Sequence, residues 1–320
     1  MYDFYINDIL VNDILEFSYS ENLEDVASSF SFTALHDYGI TTQNKLNSLK
    51  VCEKGKKTPF YFGYITDCEH TAKIDEWQYT GFDVGFYLNK NEVIIQFKNS
   101  NISDAIKQLC REYQINPNIV PIFKNSVSKI YKDEVFADIL KELLQLEASK
   151  GGLKDVYIDC KNGGLEIKEY KLEQNLSTMI ANNILLDTNK TLNNISVKNS
   201  MQELKNRVIY TNNDEKSVKR VSKTSDTSVK IYGLLTQIET VDTKKSNNLA
   251  KLANDKLWEL NRETSTITLS MLCDYRVQKG KIIYLDIPKY NLNGTYLIKS
   301  VSHTINDHKD YSTISINKRN

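Results

Sequence analysis

Residues 285–316 read LDIPKYNLNGTYLIKSVSHTINDHKDYSTISI. His303, Asp307, His308 and Asp310 crowd together here, either as a metal or acid–base site or as the polar end of a pair of strands. Strand geometry decides between them. In GTYLIKSVSHTI, His303 shares a face with Val301 and Ile305, the two-residue period of a half-packed strand. NDHKD is turn chemistry, and DYSTISIN alternates again. His303 therefore lies in a strand and His308 in the turn that follows. Zinc needs ligands that converge tetrahedrally, usually His and Cys at compact spacing, and these two histidines do not share an element. The stretch reads as architecture.

The same pattern recurs through the chain. SSFSFTAL places Phe30, Phe32 and Ala34 on one strand face. FYFGYITDCEH and EWQYTGFDVGFYL, separated by TAKID, read as an antiparallel hairpin. That hairpin parallels the C-terminal one: each runs an aromatic and aliphatic strand into a histidine, His70 or His303, then a polar loop, then a strand that opens on Trp77 or Tyr311. The period changes in NISDAIKQLCREYQI, where Ile102, Ala105, Ile106, Leu109, Cys110 and Tyr113 form a helical stripe with Ser103 as its cap. Asn116-Pro117 ends that element. DEVFADILKELLQLEASKGG is a second helix, closed by Gly151. VYIDCKNGGLEIKEY is a hairpin around Asn162-Gly163. From about 188 strands return, including TSVKIYGLL, with one helix at about 246–261 capped by Ser246. The fold class is mainly β with an α+β insert: a β-barrel domain over 1–95, an α+β domain over 96–187 and a second β-barrel domain over 188–320.

Composition excludes several functions. Lysine plus arginine equals aspartate plus glutamate, at 41 each, so no global field favours nucleic acid or an anionic membrane. The start, MYDFYINDILVNDILEF, lacks the basic-then-apolar order of a secretory signal. No apolar run approaches the roughly 20 residues that cross a bilayer. Cys52, Cys68, Cys110, Cys160 and Cys273 are scattered and odd in number, which predicts reduced, mostly buried thiols in a soluble protein made in the cytoplasm.

Candidate chemistry is sparse. Cys68 and His70 share a strand face, but Cys52 is the only other soft ligand nearby. Gly151-Gly152 and Gly163-Gly164 lack the lysine and Ser/Thr of a phosphate loop. Asp75-Glu76 and Asp133-Glu134 would serve glycoside hydrolysis only if the fold converged them. KSVKRVSK (216–223) puts cations on both faces, as a lysine-guarded edge strand does. Trp77 and Trp258 could stack on carbohydrate, although Trp258 flanks the leucine stripe of its helix and reads as packing. No catalytic residue, metal or cofactor is expected.

Three segments carry a family resemblance. They are FYFGYITDCEHTAKIDEWQYTGFDVGFYLNKN (60–91), FKNSNISDAIKQLCREYQI (97–115), and KIYGLLTQIETVDTKKSNNLAKLANDKLWELN running on to LNGTYLIKSVSHTI. Tyr232-Gly233-Leu234, Asn293-Gly294-Thr295-Tyr296 and Val301-Ser302-His303 stand where the family has similar residues. In order and spacing the chain resembles the baseplate hub proteins of contractile phage tails, the late control protein D family, in the short form of Gram-positive prophages and tail-like bacteriocins. The resemblance implies a non-enzymatic homotrimeric ring joining a sixfold tail tube to a threefold spike. It implies two tube-type barrels per chain and a location in the baseplate of the particle after assembly in the host cytoplasm. Its implied partners are a tube or tube-initiator protein, other baseplate proteins and the tape measure, with neither membrane nor sequence-specific nucleic acid. Because the chain stops after the second barrel, the spike is expected to be a separate protein. The rival reading is a peptidoglycan-degrading or cell-wall-binding tail protein.

Overall fold

The computed structural model describes residues 2–38, 46–71, 76–170, 192–212, 220–241, 249–306 and 310–318. It divides into two compact units, Met1–Ile195 with Thr268–Asn320, and Ser196–Ile267. The protein is mostly β with a few helices.

The first unit begins with β1 (Tyr2–Ile6), β2 (Ile9–Val11), β3 (Ile14–Asn22), β4 (Ser29–Ala34), β5 (Ser48–Glu53), β6 (Pro59–Thr71) and β7 (Glu76–Phe82). They hydrogen-bond in the order β3-β4-β7-β6-β5-β1-β2. Alternation directs one face of each strand inward, where Phe17, Tyr19, Phe30, Phe32, Tyr61 and Tyr79 form one core. Phe4 meets Phe17 edge-on with centroids 5.3 Å apart, so the two ends of this sheet share that core. Backbones approach closely at Gly81, where a Cβ would lie 2.1 Å from the Tyr64 carbonyl oxygen.

The α+β region follows: α1 (Gly85–Lys90), β8 (Glu92–Asn101), α2 (Ile102–Glu112), β9 (Pro117–Ile119), β10 (Ser126–Val135), α3 (Phe136–Ser149), β11 (Val156–Asp159) and β12 (Leu165–Glu169). Among the described residues β8 pairs with β10 alone, and it starts at Glu92, ahead of the boundary expected at 96. The apolar stripes of α2 and α3 fill one core with Phe97, Tyr131 and Ile167. The α2 cap differs from expectation. The Asn101 side chain accepts from the Ser103 N–H, while the Ser103 hydroxyl donates to the Pro121 carbonyl and accepts from the Phe123 N–H. Gly151 and Gly163 take the positive φ that a helix end and a tight hairpin require.

The last strands are β13 (Leu192–Ser200), β17 (Thr264–Leu272), β18 (Ile282–Ile287), β19 (Leu292–Asn306) and β20 (Tyr311–Lys318). They extend the large sheet as β13-β17-β20-β19-β3, with β18 also against β19. The boundary between the compact units falls within β13 and β17.

The hairpin parallel noticed in the sequence extends to the register. In β5-β6-β7, Leu49 faces Gly63, a bulge falls between Ile65 and Asp67, and Asp67 to His70 face Thr80 to Trp77. In β18-β19-β20, Ile283 faces Tyr296, a bulge falls between Ile298 and Ser300, and Ser300 to His303 face Ser315 to Ser312. The interval from β6 to β19 is constant: Gly63 to Tyr296, Ile65 to Ile298, His70 to His303. Trp77 corresponds to Ser312, one residue from the expected Tyr311.

The second unit, Ser196–Ile267, holds β14 (Arg207–Asn212), β15 (Arg220–Thr224), α4 (Asp226–Tyr232), β16 (Thr236–Val241) and α5 (Leu249–Leu260). β14 pairs antiparallel with β15 and parallel with β16. α5 packs on β14 and β15 with Ala253 buried. Among the described residues the region from 188 thus carries the α-helices α4 and α5 and a separate mixed sheet, where a barrel with one helix was expected. TSVKIYGLL is largely helical: Ser225-Asp226 starts α4 and Gly233, at φ 77°, stops it. Ser246, residues 216–219 of KSVKRVSK and Lys73-Ile74-Asp75 of TAKID lie outside the described residues.

Candidate functional site

β3 turns Phe17, Tyr19 and Glu21 to the same side and buries all three. Glu21 sits where β3 meets β19, with Ser300 opposite Asn22 and Val301 opposite Glu21. The residue is 2% exposed, and its carboxylate gathers three parts of the chain. Oε2 accepts from Lys161 Nζ in the β11–β12 turn at 2.9 Å. Oε1 accepts from the Lys279 N–H between β17 and β18 at 2.8 Å. The Lys279 ammonium donates to the carbonyls of Asn22 and Asp25. Asp159 accepts from Lys168 Nζ at 2.8 Å and lies 3.8 Å from Lys161 Nζ.

Burial alone would raise the Asp159 pKa, but Lys161 and Lys168 more than reverse this and hold it at about 2. Burial works against the Lys161 charge, and Glu21 and Asp159 outweigh it, raising its pKa. A buried ion pair is costly to desolvate and very costly to leave half-made. This one fixes how β3, the α+β region and the β17–β18 connection meet.

His303 completes the junction. It is fully buried and stacks on Tyr19 with centroids 4.6 Å apart. Nε2 donates to the Val277 carbonyl at 3.0 Å, which leaves Nδ1 to accept from the Ser312 hydroxyl at 2.7 Å. Desolvation lowers its pKa to about 4, so it is neutral near pH 7. Cys273 Sγ is 3.7 Å from Nδ1, but the Nδ1 lone pair is already occupied. Burial also raises the Cys273 pKa, so the pair is no thiolate–imidazolium nucleophile.

The remaining sequence candidates stay apart. Asp307 and His308 lie outside the described residues, and Asp310 accepts from the Cys273 N–H through its backbone carbonyl. Among the described residues no three His, Cys, Asp or Glu side chains could hold a metal ion. His70 is exposed and stacks on Trp77 at 4.3 Å. Asp133 sits at a bulge of β10 and Glu134 lies 3.7 Å from Lys129. Trp258, read as flank packing, is 77% exposed with the Arg262 guanidinium 5.8 Å from its ring centroid, because α5 turns Ala253 rather than its tryptophan inward.

Glu21, Lys161, Asp159 and Lys279 escaped the sequence reading because charges default to the surface. One signal was present: Glu21 is in phase with Phe17 and Tyr19. Above the seam, Ser20, Ser29, Ser300, Ser302, Thr313 and Ser315 line a shallow cavity of about 390 Å³. Glu21 and Asp25 also line it, and Glu21 is committed to the Lys161 ammonium and the Lys279 N–H.

The family model described as YqbQ-like matches residues 17–317. The chain belongs to the YqbQ-like family. It is 22% identical over 254 residues to protein YqbQ of Bacillus subtilis (strain 168), covering 77% of this chain and 74% of that one. It is 22% identical over 262 residues to the phage-like element PBSX protein XkdQ of the same organism, covering 80% and 76%. This YqbQ-like chain also shares its fold with a 43 kDa tail protein of prophage MuSo2 from Shewanella oneidensis, at TM-score 0.68, 11% identity and coverage of 99% and 98%. An E. coli type VI secretion component, described as similar to the T4 tail proteins gp27 and gp5, aligns at TM-score 0.58 and 12% identity, covering 99% of this chain and 77% of that one. At these identities the structural likeness is one of fold.

Proposed function

We propose that this YqbQ-like protein is a non-enzymatic hub in the baseplate of a contractile tail or tail-like particle. Three copies form a ring between a sixfold tube and a threefold spike. The observation that carries the reading is the internal repeat, in which β5-β6-β7 and β18-β19-β20 share register and bulge. A chain with two near-equivalent β units gives six in a trimer, which reconciles sixfold and threefold neighbours. The buried junction at Glu21 supports a mechanical role, since it holds both β units and the α+β region in one arrangement. The phage-element name of one relative and the tail-protein titles of fold neighbours fit the same role. The α+β region faces outward, because a tube wall needs β units next to one another. Cryo-electron microscopy of assembled particles tests this: three copies at the base of the tube are expected, and a stable dimer there would refute the reading.

A further inference from the structure

The repeat is not equally covered in its two halves. Tyr296 and Leu297 of β19 pair with both β18 and β20, so those strands lie on opposite sides. Ser300 to Thr304 pair with both β20 and β3, so β3 continues on the β18 side. In the first half Tyr64 pairs with both β5 and β7. Further along β6, Asp67, Cys68 and Glu69 have ladder partners in β7 alone among the described residues. These three correspond to Ser300, Val301 and Ser302, which β3 covers.

The counterpart of β3 is β13. One lies beside β4 and the other beside β17, and β4 buries Phe30, Phe32 and Ala34 as β17 buries Ile267, Leu269 and Met271. β13 ends the sheet among the described residues. Ser196 to Asn199 are exposed, Val197 among them at 42%. Matching Ile195 and Val197 to the inward Phe17 and Tyr19 puts Lys198 at the position of Ser20.

We propose that β13 of a second copy of this chain pairs antiparallel with the Asp67–Glu69 edge of β6, in the register that β3 uses with β19. Ser302 faces Ser20 within the chain; at the proposed junction Glu69 faces Lys198. Opposite charges directly across an antiparallel pair stabilise it, and like charges oppose it. Asp67 and Glu69 therefore disfavour β6 against β6 and favour β6 against β13. Such a contact is head-to-tail and can close into a ring. It rests on the hub reading and names the surface by which that ring closes.

The test uses assembled particles. Glu69→Lys and Lys198→Glu should each lower recovery of rings by about fivefold, and the double exchange should restore it to within about twofold. Glu69→Cys with Lys198→Cys, oxidised, should give disulfide-linked chains that neither single variant gives. Restoration or cross-linking supports the pairing. Rings of three with neither result overturn it and leave the hub reading standing. Wild-type particles without rings of three overturn both.

Discussion

Replacing His303 by glutamine removes one titration from the junction while keeping its bonding pattern, since the amide can donate to the Val277 carbonyl and accept from Ser312. Folding lowers the histidine pKa from 6.5 to about 4, so the unfolded chain takes up the proton first as pH falls. Neutral His303 costs nothing above pH 7, and between pH 7.5 and 4.5 the folded state loses about 2.5 kcal/mol. Asp83 acts in the opposite sense. Burial raises its pKa from 3.8 to about 6, although Ser28 and the Gly85 N–H oppose the rise. Its folded form binds the proton more tightly, so the same acidification returns about 2 kcal/mol. The two nearly cancel in the native chain. Asp159, held at about 2, contributes little change above pH 4. Glu21, Lys161 and Asp274 are the charged groups acting on His303, and all persist in the variant. Urea unfolding at pH 7.5 and 4.5 reads the outcome. The stability difference between native and His303→Gln chains should shift by about 2.5 kcal/mol in favour of the variant at the lower pH. A difference constant to within about 0.5 kcal/mol would show that His303 is not desolvated as described, and the reasoning fails.

Two further perturbations probe the junction. Lys161→Met leaves Glu21 buried without its ammonium partner and should cost about 3–5 kcal/mol, read by urea unfolding; Glu21→Gln added to Lys161→Met should recover part of that loss, and no recovery would argue against direct pairing. Deleting residues 291–320 removes β19 and β20 and leaves β3 paired with β4 alone on its described edges, so tube attachment should be abolished and the first β unit should lose protection from hydrogen exchange along β3; a truncated chain that still nucleates full-length tube would sink the two-unit account.

What was legible in the sequence was local. SFSFTAL, the Asn162-Gly163 turn and the stripe from Ile102 to Cys110 each state their period within a few residues, and the structure has a strand, a hairpin and a helix there. The order of the three segments carried the family. What escaped depends on distant partners. β14 pairs in parallel with β16, and no local pattern distinguishes that from an antiparallel meander. α4 is seven residues long, too short for a helical period to outvote the alternation of TSVKIYGLL. Asn101 displaced Ser103 as cap because the Ser103 hydroxyl is engaged by Pro121 and Phe123 from another segment. The burial of Lys161 follows from a turn docking against a strand far away in sequence, which only the Glu21 phase hinted at.

The two halves of the repeat differ at this seam, and the difference has a physical logic. Glu21 has Asn199 as its counterpart in the proposed alignment, so the charged lock lies where β3 meets β19 and the alignment gives it no counterpart at β13. A buried ion pair needs its partners delivered in fixed geometry before its desolvation is offset. Within one chain Lys161 and Lys279 are tethered to Glu21, and that condition is met on folding. Between chains the partners arrive by diffusion, and an exposed pair such as Glu69 with Lys198 suits that step: it is hydrated until contact, steers the approach and fixes register at little desolvation cost. The difference between His303, sealed against Tyr19, and His70, exposed against Trp77, follows the same division. One seam is set when the chain folds, and the proposed one would form when chains meet.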